Sequence, residues 1–128
     1  MDILFFIGRI LFGGFFLLQA YNHFTKADGL THYAAMKKVP SPKLAVQAGG
    51  VLLLVGGLGI VLGAWIQWAV LALAFFLVPV SFAMHSFWGD QDPNMKMSDM
   101  VNFLKNMALL GAALMILSIP EPWMYSMW

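Results

Sequence analysis

Long apolar runs separated by short polar segments dominate the chain. The runs cover residues 3–24, 44–63, 65–87 and 101–119. Each is close to the ~20 residues that an α-helix needs to cross the hydrocarbon core of a bilayer, and a helix satisfies its own backbone hydrogen bonds in lipid. The pattern therefore predicts an all-α integral membrane protein. We expect a single domain over residues 1–128, an antiparallel bundle of four transmembrane helices.

The polar segment between the first two runs contains one further predicted element. Residues 29–38 follow Asp28, a residue type that favours the N-cap of a helix. A segment of this length is too short to span a bilayer. We therefore expect a short interfacial helix whose apolar positions, Leu30, Tyr33 and Ala34, face lipid.

Glycine is concentrated in the second apolar run. The positions are Gly49, Gly50, Gly56, Gly57, Gly59 and Gly63. Small residues allow helix backbones to approach closely, which favours helix packing in a membrane and would also suit a homo-oligomer. The alternative is that this face forms a groove for a flat apolar ligand.

The composition agrees with a membrane protein and excludes several functions. Hydrophobic residues make up 61% of the chain and charged residues 10%, whereas soluble domains carry about 25% charged residues. The net charge of +1 gives no basic surface for nucleic acid. The absence of cysteine excludes thiol chemistry and cysteine-ligated metal sites within this chain.

Polar side chains inside the apolar runs are costly and need an explanation. Because antiparallel spans alternate direction, most of them fall at one membrane level, near the two long loops. We therefore predict a shared polar pocket. The candidate residues are Gln19, His23, Gln47, Ser81, His85, Asn102, Lys105 and Asn106. The alternatives are hydrogen bonds between helices and, for the lysine, extension of its ammonium group to the lipid headgroups.

Two other features are expected near the opposite surface. Arg9 lies apart from the candidate pocket and is expected to contact an anionic headgroup. After the fourth run, Trp123, Tyr125 and Trp128 are expected to form an aromatic anchor at the membrane interface.

The histidines and the loop acids give rise to two cofactor hypotheses, and no metal site is predicted. His23 and His85 would be a suitable pair to ligate haem between the first and third spans. Alternatively, His85 with Asp90, Asp92 and Asn94 would offer nitrogen and oxygen ligands to a divalent cation. The spacing of these loop residues matches no metal motif, and a solvated turn is the simpler interpretation.

The distribution of lysines predicts an orientation. Four spans place both termini on one side, and the loops of the other side contain Lys26, Lys37, Lys38, Lys43 and Lys96. Positive charge favours the cytoplasmic side. We therefore expect cytoplasmic loops and both termini outside.

Five segments together resemble the DoxX family of small bacterial and archaeal membrane proteins. They are RILFG at 9–13, VPSP at 39–42, the paired glycines at 49–50 and 56–57, HSFW at 85–88 and FLKNMALLG at 103–111. The resemblance covers nearly the whole chain. It implies a four-helix fold in the plasma membrane, and Arg9, His85, Lys105 and Asn106 match polar positions that recur in the family. Some members are subunits of a thiosulfate:quinone oxidoreductase.

The resemblance and the candidate pocket support three functions. The first is an accessory subunit that helps an oxidoreductase partner to exchange electrons with a quinone. The second is a protein that binds or assembles lipids or small apolar molecules without a redox role. The third is an autonomous enzyme that uses Lys105, next to His85, as acid or base, so whether the chain is an enzyme stays open.

Overall fold

The computed structural model describes residues 2–123. Its elements are α1 (Asp2–Thr25), α2 (Ala27–Met36), α3 (Pro42–Leu62), α4 (Ile66–Met84), a 3-10 turn (Phe87–Gly89) and α5 (Pro93–Ile116). Four of these helices are long and apolar enough to cross a membrane. The predicted all-α bundle of four spans is confirmed, and so is the presence of a short helix between the first two.

The spanning helices pack in a row. Helix α1 packs against α3, α3 against α4 and α4 against α5, while α2 packs against α3 and more weakly against α1. Within residues 2–123, no comparable packing joins α1 to α5. The core between the helices contains the buried side chains of Phe16, Leu53, Ile60, Leu73 and Leu77.

The glycines of α3 bring its neighbours into close contact, as the sequence predicts. A Cβ atom on Gly57 would lie 2.9 Å from the carbonyl oxygen of Gly13 in α1, and one on Gly59 would lie 2.5 Å from the Cβ of Ala69 in α4. A Cβ atom on Gly56 would clash with the side chain of Leu73. These glycines therefore allow α3 to contact two helices at once, near the end where Gly63 leads into α4.

The last spanning helix begins at Pro93, not at residue 101 as predicted. Asp92 is its N-cap, since its Oδ1 accepts a hydrogen bond from the backbone N–H of Asn94 at 3.3 Å. The continuous apolar run begins only after Lys96 and Asp99. In the structure Lys96 is exposed, and Asp99 is buried with ionic partners, so neither charge prevents a helix.

The same helix ends at Ile116 instead of residue 119. The backbone N–H groups of Leu117, Ser118 and Ile119 donate to carbonyls three residues earlier, at 3.2, 3.1 and 3.1 Å. Such tightened hydrogen bonds are common at helix ends. The apolar pattern continues through this turn, which explains the longer prediction.

The short helix α2 differs in detail from the prediction. It begins at Ala27 after Lys26, and Asp28 lies within its first turn, so the assignment of Asp28 as N-cap is wrong. A carboxylate there still favours the helix dipole. Ala34, expected to face lipid, is 4% exposed, and Leu30 is half-buried, because this face of α2 packs against the bundle.

Trp123 is part of the bundle and not a surface anchor. It is 4% exposed, and its ring lies 4.9 Å from that of Phe5 in an edge-to-face arrangement. The guanidinium carbon of Arg9 is 5.3 Å from the same ring. Tyr125 and Trp128, the other two residues of the predicted anchor, lie outside the described residues.

Two adjacent glycines of α1 offer a matched test of the close packing. A Cβ on Gly13 would lie 2.6 Å from Cγ2 of Val61 and 2.9 Å from the carbonyl oxygen of Gly57, whereas one on Gly14 would meet nothing within 4 Å. We expect Gly13→Ala to reduce the free energy of unfolding by about 1–3 kcal/mol. Gly14→Ala should leave it unchanged or raise it by up to about 1 kcal/mol.

The measurement is unfolding of each variant in mixed detergent micelles, followed by circular dichroism. Equal effects of the two substitutions would contradict the close approach of α1 and α3.

Candidate functional site

Four charged or titratable side chains meet where the two long loops lie side by side. The Lys37 ammonium donates to Oδ2 of Asp99 at 2.7 Å and lies 3.8 Å from Oδ1 of Asp90. The Nδ1 atom of His85 lies 3.3 Å from Oδ1 of Asp99. We call these four residues the ion cluster. The cluster places both loops at the same end of the bundle, as antiparallel threading requires.

Three members of the ion cluster directly follow an element, and the fourth lies within α5. Lys37 follows α2 as its C-cap residue, and His85 follows α4 in the same way. Asp90 follows the 3-10 turn, and Asp99 lies in the first part of α5. Because one buried carboxylate contacts both α2 and α4, the cluster connects the interfacial helix to two spans.

Asp99 is the centre of this arrangement. Its side chain is 2% exposed, against 15% for that of Lys37 and 18% for that of His85. A carboxylate can be buried only when it is paired and hydrogen-bonded. Lys37 supplies the charge, and His85 supplies a second hydrogen bond.

The cluster shifts the titration of its members outside the spans. Burial alone lowers the pKa of Lys37, but the hydrogen bond to Asp99 and the nearby negative charges outweigh this effect, so the pKa lies above its ordinary value. The pKa of Asp90 is also raised, because its protonated form can hydrogen-bond to Asp99 and because burial and the charge of Asp99 disfavour a second carboxylate. Within the described residues, Oδ2 of Asp90 is buried without a hydrogen-bond partner.

A cavity of about 360 Å³ lies directly beside the ion cluster. Residues from α1 to α5 line it, so the short helix α2 covers the cavity from the loop side. The aromatic lining consists of Phe15, Phe16, Tyr33, Phe75 and Phe76. The polar lining consists of Gln19, His23, His85, Lys105 and Asn106.

Most of the exposed residues that line the cavity belong to α3 and α4, and we call this side of the cavity its mouth. Among the lining residues, Ala45 and Ala48 of α3 and Phe75, Pro79 and Ala83 of α4 are exposed. The surface of a spanning helix outside the bundle faces acyl chains. A molecule dissolved in the bilayer would therefore reach the cavity sideways, without crossing the loops.

Three predicted pocket residues do not line this cavity. Gln47 is exposed on α3, and Asn102 is half-buried on α5 without contributing to the lining. Ser81 is fully buried, and its hydroxyl donates to the carbonyl oxygen of Leu77 at 2.6 Å. A serine in an apolar helix commonly satisfies its hydroxyl in this way.

The two histidines of the cavity each have one ring nitrogen engaged. Nδ1 of His23 lies 2.9 Å from the carbonyl oxygen of Gln19, and its ring packs edge-on against Phe76, with 5.5 Å between centroids. Nδ1 of His85 is engaged by Asp99. In both rings Nε2 is the nitrogen left for a ligand.

Lys105 of α5 extends towards α1. It is exposed, and its ammonium nitrogen lies 5.7 Å from the centroid of the Phe15 ring. A lysine in such a position can bring its charge to the cavity or to the headgroups, because its aliphatic stem lies along apolar surface.

Arg9 is held by protein groups at the opposite end of the bundle. Its Nε donates to the carbonyl oxygen of Ile60 at 3.3 Å and its Nη2 to that of Val61 at 2.8 Å. These carbonyls lie in the last turn of α3, where they lack helical partners. The residue is 2% exposed, which leaves little of the guanidinium accessible to the anionic headgroup that we expected.

The geometry favours neither cofactor hypothesis. Within residues 2–123, no group of three or more histidine, aspartate or glutamate residues is arranged to hold a metal ion. His85 and Asp90 belong to the ion cluster, where the Lys37 ammonium neutralises the acids, and Asp92 is the N-cap of α5. Haem ligation by His23 and His85 stays a hypothesis.

Sequence reasoning missed Asp99 and Lys37 as functional candidates. Asp99 precedes the fourth predicted span, which begins at residue 101. Asp99, Asn102 and Asn106 follow the i, i+3, i+7 spacing of one helix face, and this signal would have extended the helix. The spacing contains no information on Lys37, which comes from a distant loop.

Removal of Lys37 tests the importance of the ion pair for stability. Lys37→Met would leave the buried Asp99 carboxylate without its cation, and we expect the free energy of unfolding to fall by up to about 3–5 kcal/mol. Lys38→Met is the matched control, because Lys38 is adjacent and exposed. Unfolding in mixed micelles measures both variants, and equal losses would contradict a special role for Lys37.

The raised pKa of Lys37 predicts a pH dependence of this contribution. The folded protein holds the lysine proton more tightly than the unfolded chain, so the contribution is complete below the ordinary value of 10.5 and is lost as the pH rises through the higher folded value. We expect the stability difference between the native protein and Lys37→Met to be constant from pH 7 to about 9 and to shrink above the ordinary value. A difference that shrinks between pH 7 and about 9 would contradict the assignment.

Comparison with known families agrees with the helical arrangement. The DoxX family model matches residues 4–86, which include α1 to α4 and His85. Asp99, Lys105 and Asn106 lie beyond the matched residues. The chain matches no curated protein and no solved structure. Because the match covers more than half of the chain, this multi-pass membrane protein belongs to the DoxX family.

Proposed function

We propose that this protein is an accessory subunit of a quinone-linked redox system and that its cavity holds the quinone ring. The observation that carries the proposal is an aromatic cavity of about 360 Å³ whose exposed lining residues lie mostly on α3 and α4. Small-molecule sites in proteins are mostly apolar, with a few polar groups that orient the ligand.

The lining suits a flat ring with polar oxygens. Phe75 and Phe76 on α4, with Phe15 and Phe16 on α1, offer aromatic surfaces for stacking. Lys105, which extends from α5 towards α1, offers a charged donor for a carbonyl oxygen. The apolar tail of such a ligand would extend through the mouth into the bilayer.

The accessory role follows from the composition of the chain. Without cysteine, the chain has no thiol to oxidise or reduce and no thiolate ligands for an iron–sulfur cluster. A partner oxidoreductase subunit would supply the electrons, and this chain would supply the ring site in the membrane. An autonomous acid–base role for Lys105 has less support, because within residues 2–123 its side-chain contact is with the ring of Phe15 and not with a titratable group.

The plasma membrane of a bacterium or archaeon is the proposed location, with both termini outside. The buried Lys37 and Arg9 have protein partners and should not be counted in the charge balance. Lys26, Lys38, Lys43 and Lys96 are exposed near the loop end. This excess of positive charge supports a cytoplasmic position for the loops.

The second candidate function is binding of a lipid or another small apolar molecule without a redox role. The lateral mouth supports this function equally, since any molecule dissolved in the bilayer could enter there. Lys105 would then contact a phosphate in place of a carbonyl oxygen. The two functions therefore differ in the identity of the occupant.

Mass spectrometry of the protein after gentle detergent extraction would identify the occupant. We expect quinone to be retained, and Ala48→Trp to reduce the amount by about tenfold, because the indole would fill the mouth beside the cavity. Ala108→Trp is the control, since Ala108 is exposed on α5 and does not line the cavity. Such a loss corresponds to about 1.4 kcal/mol of binding free energy.

Two results would contradict the redox proposal. One is a stoichiometric phospholipid in place of quinone, displaced by Ala48→Trp and not by Ala108→Trp, which would support the second function. The other is quinone retained equally by both variants, which would place it outside the cavity.

A further inference from the structure

The hydrogen bond between His85 and Asp99 determines whether a ligand atom next to His85 must donate or accept a hydrogen bond. The Asp99 carboxylate already receives the Lys37 ammonium at 2.7 Å on Oδ2, so it is the acceptor toward His85 as well. The ring must then carry its proton on Nδ1, which lies 3.3 Å from Oδ1 of Asp99. The tautomer of a neutral histidine leaves one nitrogen as donor and the other as acceptor. Nε2 of His85 is therefore an acceptor.

The second imidazole of the cavity, that of His23, also presents a hydrogen-bond acceptor. Nδ1 of His23 lies 2.9 Å from the carbonyl oxygen of Gln19. Because a carbonyl oxygen can only accept, this ring also carries its proton on Nδ1 and presents Nε2 as an acceptor. His23 stands on α1 and His85 at the end of α4, so two separate helices each contribute an acceptor to the lining.

From these hydrogen bonds we infer that the cavity selects a ring that carries a hydroxyl group, a phenol or hydroquinone, whose O–H donates to Nε2 of His85. This inference rests on the proposed function, because it assigns the preferred form of the ring that the cavity holds. A quinone carbonyl has no proton to offer to Nε2 and would face the lone pair of the imidazole. Asp99 acts as a positioning residue, because it fixes the tautomer without contacting the ligand.

The surroundings of His85 favour a neutral imidazole ring. Lys37 contacts Oδ2 of Asp99, whereas Nδ1 of His85 lies near Oδ1, and Lys105 is another residue of the cavity lining. Burial of the His85 side chain, which is 18% exposed, disfavours an imidazolium, and the positive charges of Lys37 and Lys105 act in the same direction, against the negative charge of Asp99. A neutral ring with a free Nε2 lone pair is therefore the form that meets the ligand.

Asp99→Asn provides the sharpest test. The amide of asparagine can accept from Lys37 through its oxygen and donate to Nδ1 of His85 through its nitrogen, which would move the ring proton to Nε2. His85 then becomes a donor and should favour a carbonyl oxygen. Because His23 keeps its contact with Gln19, its tautomer should not change and it serves as the internal control.

The experiment compares binding of a decyl-substituted benzohydroquinone, kept anaerobic, with binding of the corresponding benzoquinone. Calorimetry in detergent micelles gives the affinities for the native protein, Asp99→Asn and His85→Phe. We expect the native protein to bind the hydroquinone about 3- to 10-fold more tightly, the scale of one hydrogen bond. Asp99→Asn should remove or reverse this preference, and His85→Phe should reduce it, because Nε2 of His23 is still an acceptor in both variants.

Nitrogen NMR of histidine-labelled native protein gives an independent readout that does not depend on a variant folding. We expect the spectrum of His85, assigned by its loss in His85→Phe, to report the Nδ1-protonated tautomer. The Nε2-protonated tautomer, equal affinities of the native protein for the two rings, or an unchanged preference in a folded Asp99→Asn would each overturn the inference alone. Binding of neither ring by the native protein would instead overturn the proposed function.

Discussion

The burial of one carboxylate determines the loop end of this protein. Asp99 is 2% exposed in a chain whose other spanning surfaces are largely apolar, and an unpaired charge there would be strongly destabilising. The chain meets this requirement by bringing Lys37 from the end of α2 and His85 from the end of α4. The pairing of a single charge in α5 therefore helps to position the interfacial helix, together with the packing of that helix against α3.

The cavity results from a difference in packing along α3. Near the turn into α4, Gly56, Gly57 and Gly59 leave no room for a Cβ and hold three helices together. Towards the loop end α3 and α4 share the cavity lining, and α2 covers the space from the loop side. At that end the side chains of Phe76 and His23 lie beside Gly49, so aromatic and imidazole rings that line the cavity separate the helices there.

Much of this architecture could be predicted, since hydrophobic length and helical spacing are local properties. The spans, the short helix and the close-packing glycines all follow from such patterns. Pairing across the loops is not local, because nothing in the sequence near Lys37 indicates that it contacts Asp99. The charge of Asp99 also interrupts the apolar pattern, so the pattern places the start of the fourth helix too late. Arg9 illustrates the same limit, because its partners are α3 carbonyls 51 and 52 residues away.

Antiparallel threading predicts that polar residues gather at one membrane level. Which of them line the cavity depends on individual hydrogen bonds. Ser81 satisfies its own helix, whereas His85, one turn later, is engaged by Asp99 and lines the cavity. Two residues one turn apart on a similar helical face thus differ because only His85 has a partner in another helix. Since that partner also holds Lys37, the group that anchors α2 over the cavity is the group that sets the polarity of the cavity wall. Any change at Asp99 must therefore act on the shape of the site and on its hydrogen-bonding character together.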